Sequence, residues 1–427
     1  MSRRCRTVLR AMPGAVGWSI VAFGTSVWAG PDAGPLFQGL GHLDHSLGSK
    51  AQDVSVDGLV VVGVANSMEG SQAFRWTAEE GMVALGDLPG GEFISAAAGV
   101  SRKGRVVVGW SASSSGPEQA FRWTALGGMV ALEDLPGGPF LCKAAAVSPN
   151  GAVVVGLGSP GDDQLEAARW AGNDGIISLG DLPGGAFTSR ATAVSHQGSV
   201  IVGWGNSGSG VNEAFRWTAE QGMVGLGFLP GAIIDGSQAF DVSFDGSVIV
   251  GSGWATQGIE AFHWTAEQGM VPLGDLPGGM DLTFSFAFGV SDDGATVVGV
   301  GHTDLGSEAF IWDVEHGIRN LREVLEEDYN LDLSEWILTE ARGIAADGLS
   351  IVGWGYRDGV QEAWLARLNP PPCPADLNGD GQVNPYDLSL LLSAWGFNPG
   401  HPADFDGDDF VGPADLAVLL SAWGPCD

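Results

Sequence analysis

Positive charge is scarce in this chain. Of 427 residues, 19 are Lys or Arg against 51 Asp or Glu, and charged residues of both signs make up only 16%. Residues 1–29 hold four of the arginines and no acid, so the remainder carries 15 basic against 51 acidic residues, a net of −36. Such a chain lacks the basic face that displaces counterions from nucleic acid or an anionic membrane. It suits a soluble exported protein or a cation binder. Neither Gly-x-Ser-x-Gly nor His-Glu-x-x-His occurs, so two common catalytic signatures are missing. Long helical patterns are few. What abounds is glycine, 68 residues, roughly twice the usual ~7%. With 44% hydrophobic residues, 16 Trp and 19 Phe, disorder is excluded and an all-β chain is expected.

The N-terminus reads as a secretory signal peptide spanning residues 1–29. Arg3, Arg4, Arg6 and Arg10 form a positive start, an apolar stretch runs to Trp28, and Val27-Trp28-Ala29 resembles a cleavage site. Pro13 and several glycines break the stretch, which argues against a membrane anchor. No membrane insertion is expected once it is removed. Of the four cysteines, Cys5 leaves with this leader. Cys373 and Cys426 bracket the C-terminal segment, and a disulfide between them is the natural pairing in an oxidising compartment, with two free thiols as the alternative. Cys142 is expected to be a buried free thiol.

A repeat fills the middle. Tryptophans fall at 76, 123, 170, 217, 264 and 312, with spacings of 47, 47, 47, 47 and 48, and Trp364 closes the series. Each ends a pentamer such as Gln72-Ala73-Phe74-Arg75-Trp76 or Glu213-Ala214-Phe215-Arg216-Trp217. Upstream lies a β-branched run ending in Gly, such as Val60-Val61-Val62-Gly63. Downstream of most comes Gly-Met-Val-x-Leu-Gly-Asp-Leu-Pro-Gly-Gly, as at 81–91. Each unit reads as four strands: Met82–Leu88, a second ending at Val100-Ser101, the Val-Val-Val-Gly run, and the pentamer. Pro89-Gly90 predicts a type II turn, and Asp57-Gly58 and its equivalents predict hairpin turns.

Four strands per repeat of this length predict a seven-bladed β-propeller of four-stranded blades over residues 36–368. A linear β-solenoid is the rival, although its coils are usually shorter. The seventh unit is altered at both ends, with Leu40-Gly41-His42-Leu43 before the first copy and Leu321-Arg322-Glu323-Val324 opening the last, then a short helix to about Tyr329. The Phe/Trp pairs are expected to pack between blades, and the Glu or Gln before each to bind a backbone amide or an Arg. Function should sit in the dissimilar loops Asn206–Asn212, Pro160–Leu165, Ile233–Gln238 and Asp281–Phe284. These units resemble the extracellular HAF-repeat family of exported bacterial proteins, carried by the Gly-x-x-Val-Gly runs, Glu-Ala-Phe-Arg-Trp and Leu-Gly-Asp-Leu-Pro-Gly-Gly. The resemblance implies export and repetition but no reaction.

After Leu368 the composition changes. Residues 369–372 (Asn-Pro-Pro-Pro) form a stiff linker, and residues 373–427 have nine Asp and no Lys or Arg. Two stretches match at an offset of 28. Asp376, Asn378, Asp380 and Asp387 place side-chain oxygens at loop positions 1, 3, 5 and 12, with the Gln382 carbonyl at 7 and Asn384 at 9. Asp404, Asp406, Asp408, the Phe410 carbonyl and Asp415 repeat the set. Oxygens at these positions wrap one Ca2+, so two ions are expected. Gly381 supplies the sharp turn at position 6, where the second loop has Asp409. The apolar stretches Leu388–Gly396 and Leu416–Gly424 should form a packed helix pair.

This small α-helical, EF-hand-like domain resembles a type I dockerin of the Cys-ended bacterial variety. The resemblance implies docking onto a cohesin-like or cell-surface partner. The tail's helices are short and lack the Lys/Arg usual in cohesin-contacting dockerin helices. The expected function is a secreted, non-catalytic binding or display propeller, its ligand unnamed, anchored through a calcium-dependent tail. A dockerin-borne polysaccharide-active enzyme, a glycoside hydrolase or lyase with its site in the propeller loops, is the alternative, and a purely structural envelope protein a third. Gly203-Trp-Gly205-Asn-Ser-Gly208 fits a dinucleotide pattern only by chance, since no helix follows. His42 and His45 are too few ligands for a metal site.

Overall fold

The computed structural model describes residues 35–425 except 45–47, 138–140, 162–163, 173–174, 279–281, 369–373, 379–381 and 400. The leader, Cys373, Cys426, Asp380 and Gly381 therefore lie outside the described residues. So do His45 and Asp281.

The chain is mostly β, organised as four-stranded antiparallel sheets that follow one another along the sequence. The first sheet runs Ser49–Val54, Val61–Asn66, Ser71–Thr77 and Gly81–Ala84. Equivalent sheets occupy 95–131, 143–180, 184–225, 237–274 and 286–320, those at 143–180 and 184–225 touching through a single parallel pair, Leu165–Thr188. The final sheet, 336–367, receives its fourth strand from Leu36–Gly39, which pairs with Trp364–Arg367.

The expected strand order is right but its frame is shifted. The methionine strand is the outer edge of the sheet holding the preceding pentamer, pairing Trp76 with Met82. It ends at Ala84 rather than Leu88, because Gly86 takes a left-handed φ of 79° and turns the chain away. Trp364 likewise sits where most other sheets have Phe: it opposes Gly353 as Phe74 opposes Gly63. Leu321 begins a helix, α1 (Leu321–Glu327), capped by Asn320 and burying Leu321, Val324 and Leu325.

The first strands of successive sheets touch one another all the way round, including 336–344 against 49–54. One core cluster accordingly joins Val352, Ala363 and Leu365 of the last sheet to Val61, Phe74 and Trp76 of the first. A serine at the head of most inner strands reinforces this packing. Ser95 Oγ accepts from Ala73 N at 3.0 Å, and Ser49 Oγ accepts from Ala363 N at 3.0 Å across the closure. An open ladder leaves its terminal sheets without such contacts. The repeated Phe side chains are fully buried here, each removing roughly 2–3 kcal/mol worth of apolar surface from water.

The repeated Gly of the Val-Val-Gly runs has a geometric cause. Each inner strand carries a bulge, as between Ala51 and Asp53, and Gly63 faces it. An added Cβ on Gly63, Gly109, Gly156, Gly203, Gly251, Gly299 or Gly353 would fall well inside 3.0 Å of the inner-strand carbonyl oxygen. The turns after the inner strands are four-residue loops ending in Gly, Ser-x-x-Gly in all but the last sheet, where Ala345 takes the serine place: Gly58 N donates to Ser55 O, and Ser55 Oγ accepts from Val60 N.

The tail has its own small core. Helices α2 (Pro385–Ser393) and α3 (Pro413–Ser421) each start with proline, whose missing N–H costs nothing there. Ala375, Val383, Leu391, Ala403, Val411 and Leu419 are buried together, three pairs at the 28-residue offset.

Candidate functional site

In the second tail loop, carboxylate oxygens of Asp404, Asp406 and Asp408 lie within 4.8 Å of one another. Backbone amides build this convergence. Asp404 accepts from the N–H groups of Gly407, Asp408 and Asp409, and Asp408 from Phe410 N. Asp415, at the start of α3, accepts from Phe405 N at 2.6 Å and Gly412 N at 2.7 Å. It thereby holds both ends of the loop together. Asp406 Oδ1 is buried without any partner. Burial, with Asp408, Asp415 and Asp404 close by, pushes the Asp406 carboxyl above its ordinary range. A buried acceptor left unsatisfied among like charges is the environment a hard cation stabilises. The residues present therefore fit Ca2+: Asp404, Asp406, Asp408, Asp415 and the Phe410 carbonyl would hold it. Asp409 sits at position 6 with φ 68°, the left-handed turn expected there.

The first loop is built alike where it is described. Asp387 accepts from Leu377 N, Asn378 N and Asn384 N, matching Asp415. Asn384 caps α2 by accepting from Tyr386 N at 2.8 Å. Gln382–Val383 pairs with Gly424–Pro425, and Phe410–Val411 with Gly396–Phe397, so each loop is strapped to the chain after the other loop's helix. Asp376 lies half-buried beside Ala375.

The tail rests on the ring. Asp409 accepts from Gln197 Nε2 at 3.2 Å and bonds His196 Nε2 at 3.1 Å. His196 belongs to one of the Ser-x-x-Gly turns, which link round the ring: His196 N donates to Phe244 O, Phe244 N to Asp292 O, and Asp292 N to Ala346 O. His196 stacks on Phe244 at 4.2 Å. Burial lowers its basicity, against the pull of Asp409. The second acidic loop thus sits over one mouth of the ring.

The repeated polar residues serve the scaffold. Glu213 accepts from Gly227 N and Glu362 from Gly41 N, the amide role expected of them, whereas Gln72 and Glu308 bond the hydroxyls of Ser67 and Thr303. The Asp of the Leu-Gly-Asp-Leu-Pro motif ties its loop: Asp275 accepts from Leu276, Phe284 and His302 amides. Cys142 is a buried free thiol that takes the serine place, accepting from Ala120 N at 3.3 Å. Burial pushes it up to about 12.

The opposite mouth, roughly 15 Å along the inner strands, was not anticipated from sequence. The two positions flanking the buried inner-strand alanines are half-exposed in every sheet. Lys50, Lys143 and Arg190 share one such register, and Arg342 lies one step deeper. Lys50 stands 4.0 Å over Trp354, Lys143 4.6 Å over Trp110, and Arg190 5.4 Å over Trp204. Those tryptophans follow Val-Gly runs as Gly-Trp, outside the 47-residue series, which was the available signal. Two of the dissimilar loops meet at this end. Asn206, Asn212, Gln238, Trp254 and Phe286 line a cavity of about 360 Å³.

No family model matches the sequence, and no curated protein matches it. Among solved structures, TolB from Acinetobacter baumannii is 10% identical with a TM-score of 0.41, covering 74% of this chain and 65% of that one. A putative TolB from Agrobacterium tumefaciens is 14% identical (TM-score 0.41; 75% and 99% covered). An oligogalacturonate lyase from Vibrio parahaemolyticus is 9% identical (TM-score 0.47; 78% and 97% covered). Likeness at this level says nothing of ligand or activity.

Proposed function

We propose that this chain is an exported, non-catalytic, seven-bladed β-propeller of the HAF-repeat kind, attached to a partner or cell surface by a dockerin-like tail that two Ca2+ ions organise. The observation that carries the reading is the convergence of Asp404, Asp406 and Asp408 around the partnerless Asp406 Oδ1. Packing of the last sheet on the first supports the closed propeller. The apolar faces of the tail support docking: Leu390, Leu392, Trp395, Leu420 and Trp423 are exposed, Trp423 by 46%. A basic stripe is not needed for such a contact. Calorimetric titration of the mature chain with Ca2+ tests this. Two ions are expected, with Asp406→Ala losing one. No uptake, or uptake unchanged by Asp406→Ala and Asp404→Ala, refutes the reading. A calcium-dependent pull-down from an envelope fraction identifies the partner.

A further inference from the structure

We propose that the ring mouth opposite the tail binds an acidic polysaccharide, its acid groups held by Lys50, Lys143, Arg190 and Arg342. The proposal stands on the ring alone and does not rest on calcium.

In a chain of net charge −32, four cations collect on the inner strands of one mouth. Repetition does not require them: the same register holds Ala96, Gln238, Phe286 and Glu340 in the other sheets. Lys143 and Arg342 pair with Glu118 and Glu340. Lys50 and Arg190 have no carboxylate at ion-pair distance among the described residues. Their positions are instead fixed by indole faces. Arg190 is held there at a cost, since burial weakens its hold on the proton and its Nε lacks a partner. Lys50 and Arg190 thus stand outside the ion pairs of a concave mouth, where such charges concentrate anions. The acids on the outer faces are screened beyond about 8 Å at physiological salt.

The surrounding groups select the anion's class. One sheet on from Arg190, the cavity of about 360 Å³ offers the carboxamides of Asn206, Asn212 and Gln238 and the exposed face of Trp254, with Asp235 as its one lining carboxylate among the described residues. Amide side chains exchange hydrogen bonds with hydroxyls, and a flat indole covers the apolar face of a sugar ring. Cations for acid groups, amides for hydroxyls and ring faces for pyranoses together describe an acidic sugar chain better than an acidic peptide, which carries no hydroxyl array. Carboxylate and sulfate present the same charge to these cations.

Calorimetry on the mature, calcium-loaded chain tests the proposal with four probes: a galacturonate oligomer, a sulfated dextran oligomer, a neutral dextran oligomer and poly-glutamate. Binding of one or both acidic sugars, weakened by salt, is expected, and which of the two binds assigns the acid group. Lys50→Gln and Arg190→Gln should each lower the affinity about tenfold, with Ca2+ uptake unchanged. Arg190 is half-buried with its Nε unpartnered, and its replacement can unsettle the fold. Lys50 is half-exposed and unpaired, so Lys50→Gln with an unchanged melting temperature decides the matter. No binding of either acidic sugar, equal binding of neutral dextran or poly-glutamate, or affinity unaltered in Lys50→Gln overturns the proposal.

Discussion

Gly203→Ala is the sharpest test of the repeated architecture. Gly203 opposes Ala191 across the bulge between Ala191 and Ala193. A Cβ there meets Arg190 O, Arg190 C and Ala191 Cα, all backbone, all within 3.0 Å. No rotamer change relieves that contact, so the two strands must separate by about 1 Å and the inter-strand hydrogen bonds beside the bulge must lengthen. Overpacking of this kind costs typically 1–3 kcal/mol, and a rigid backbone neighbour places it at the upper end, about 3 kcal/mol. Gly161→Ala is the control. Among the described residues its Cβ meets Gln164 Oε1 alone, at 3.8 Å, and its φ is not left-handed, so the expected change is within ~0.5 kcal/mol. Urea denaturation followed by tryptophan fluorescence measures both. If Gly203→Ala unfolds at the same urea concentration as Gly161→Ala, the steric reason given for the Val-Val-Gly repeat is wrong.

Three further outcomes follow from the same geometry. Asp409→Gly keeps the left-handed turn of its loop but removes the bonds to His196 and Gln197, a loss of about 1–2 kcal/mol. The tail should swing free and raise the maximum dimension in small-angle scattering, and an unchanged profile refutes the docked position. Cys142→Ser should leave stability unchanged or raise it slightly, because serine fills the equivalent place at Ser95, Ser189 and Ser237 and accepts the same amide. A loss above ~1 kcal/mol contradicts the equivalence. Burial pushes Asp53 up from 3.8 to about 7, against the amides of Val100 and Val54 that favour its charge. The folded chain then keeps a proton that the unfolded chain releases between those values, so this group's contribution falls as pH rises through that window, by up to ~1.4 kcal/mol per unit. Asp53→Asn should flatten the dependence of stability on pH between 5 and 7, and an identical slope in both proteins refutes it.

Much of the site was legible because it is local. The tail's carboxylates sit at fixed offsets inside one loop, and the amides that aim them are within ten residues, so spacing alone named Asp404, Asp406, Asp408 and Asp415. The hydrophobic repeat named the buried Phe of most sheets. It misplaced Trp364 by two residues because a tryptophan filled a phenylalanine position, and it set the frame one strand early because each sheet takes its outer strand from the start of the next repeat. The basic mouth was invisible for a different reason. Lys50, Lys143, Arg190 and Arg342 are spread over nearly 300 residues with nothing but a place beside the inner-strand alanines in common.

The sequence by itself determined the periodicity, the sheet content, the alternation that buries Phe74 and its copies, and the paired acidic loops of the tail, since each depends on contacts within a few residues or one hairpin. Only the tertiary structure decided that Leu36–Gly39 completes the last sheet, that Asp409 covers one mouth, and that distant cations gather at the other. Those facts arise when successive sheets curve until the last meets the first, and curvature is a sum over many small packing angles that no single stretch of the chain encodes.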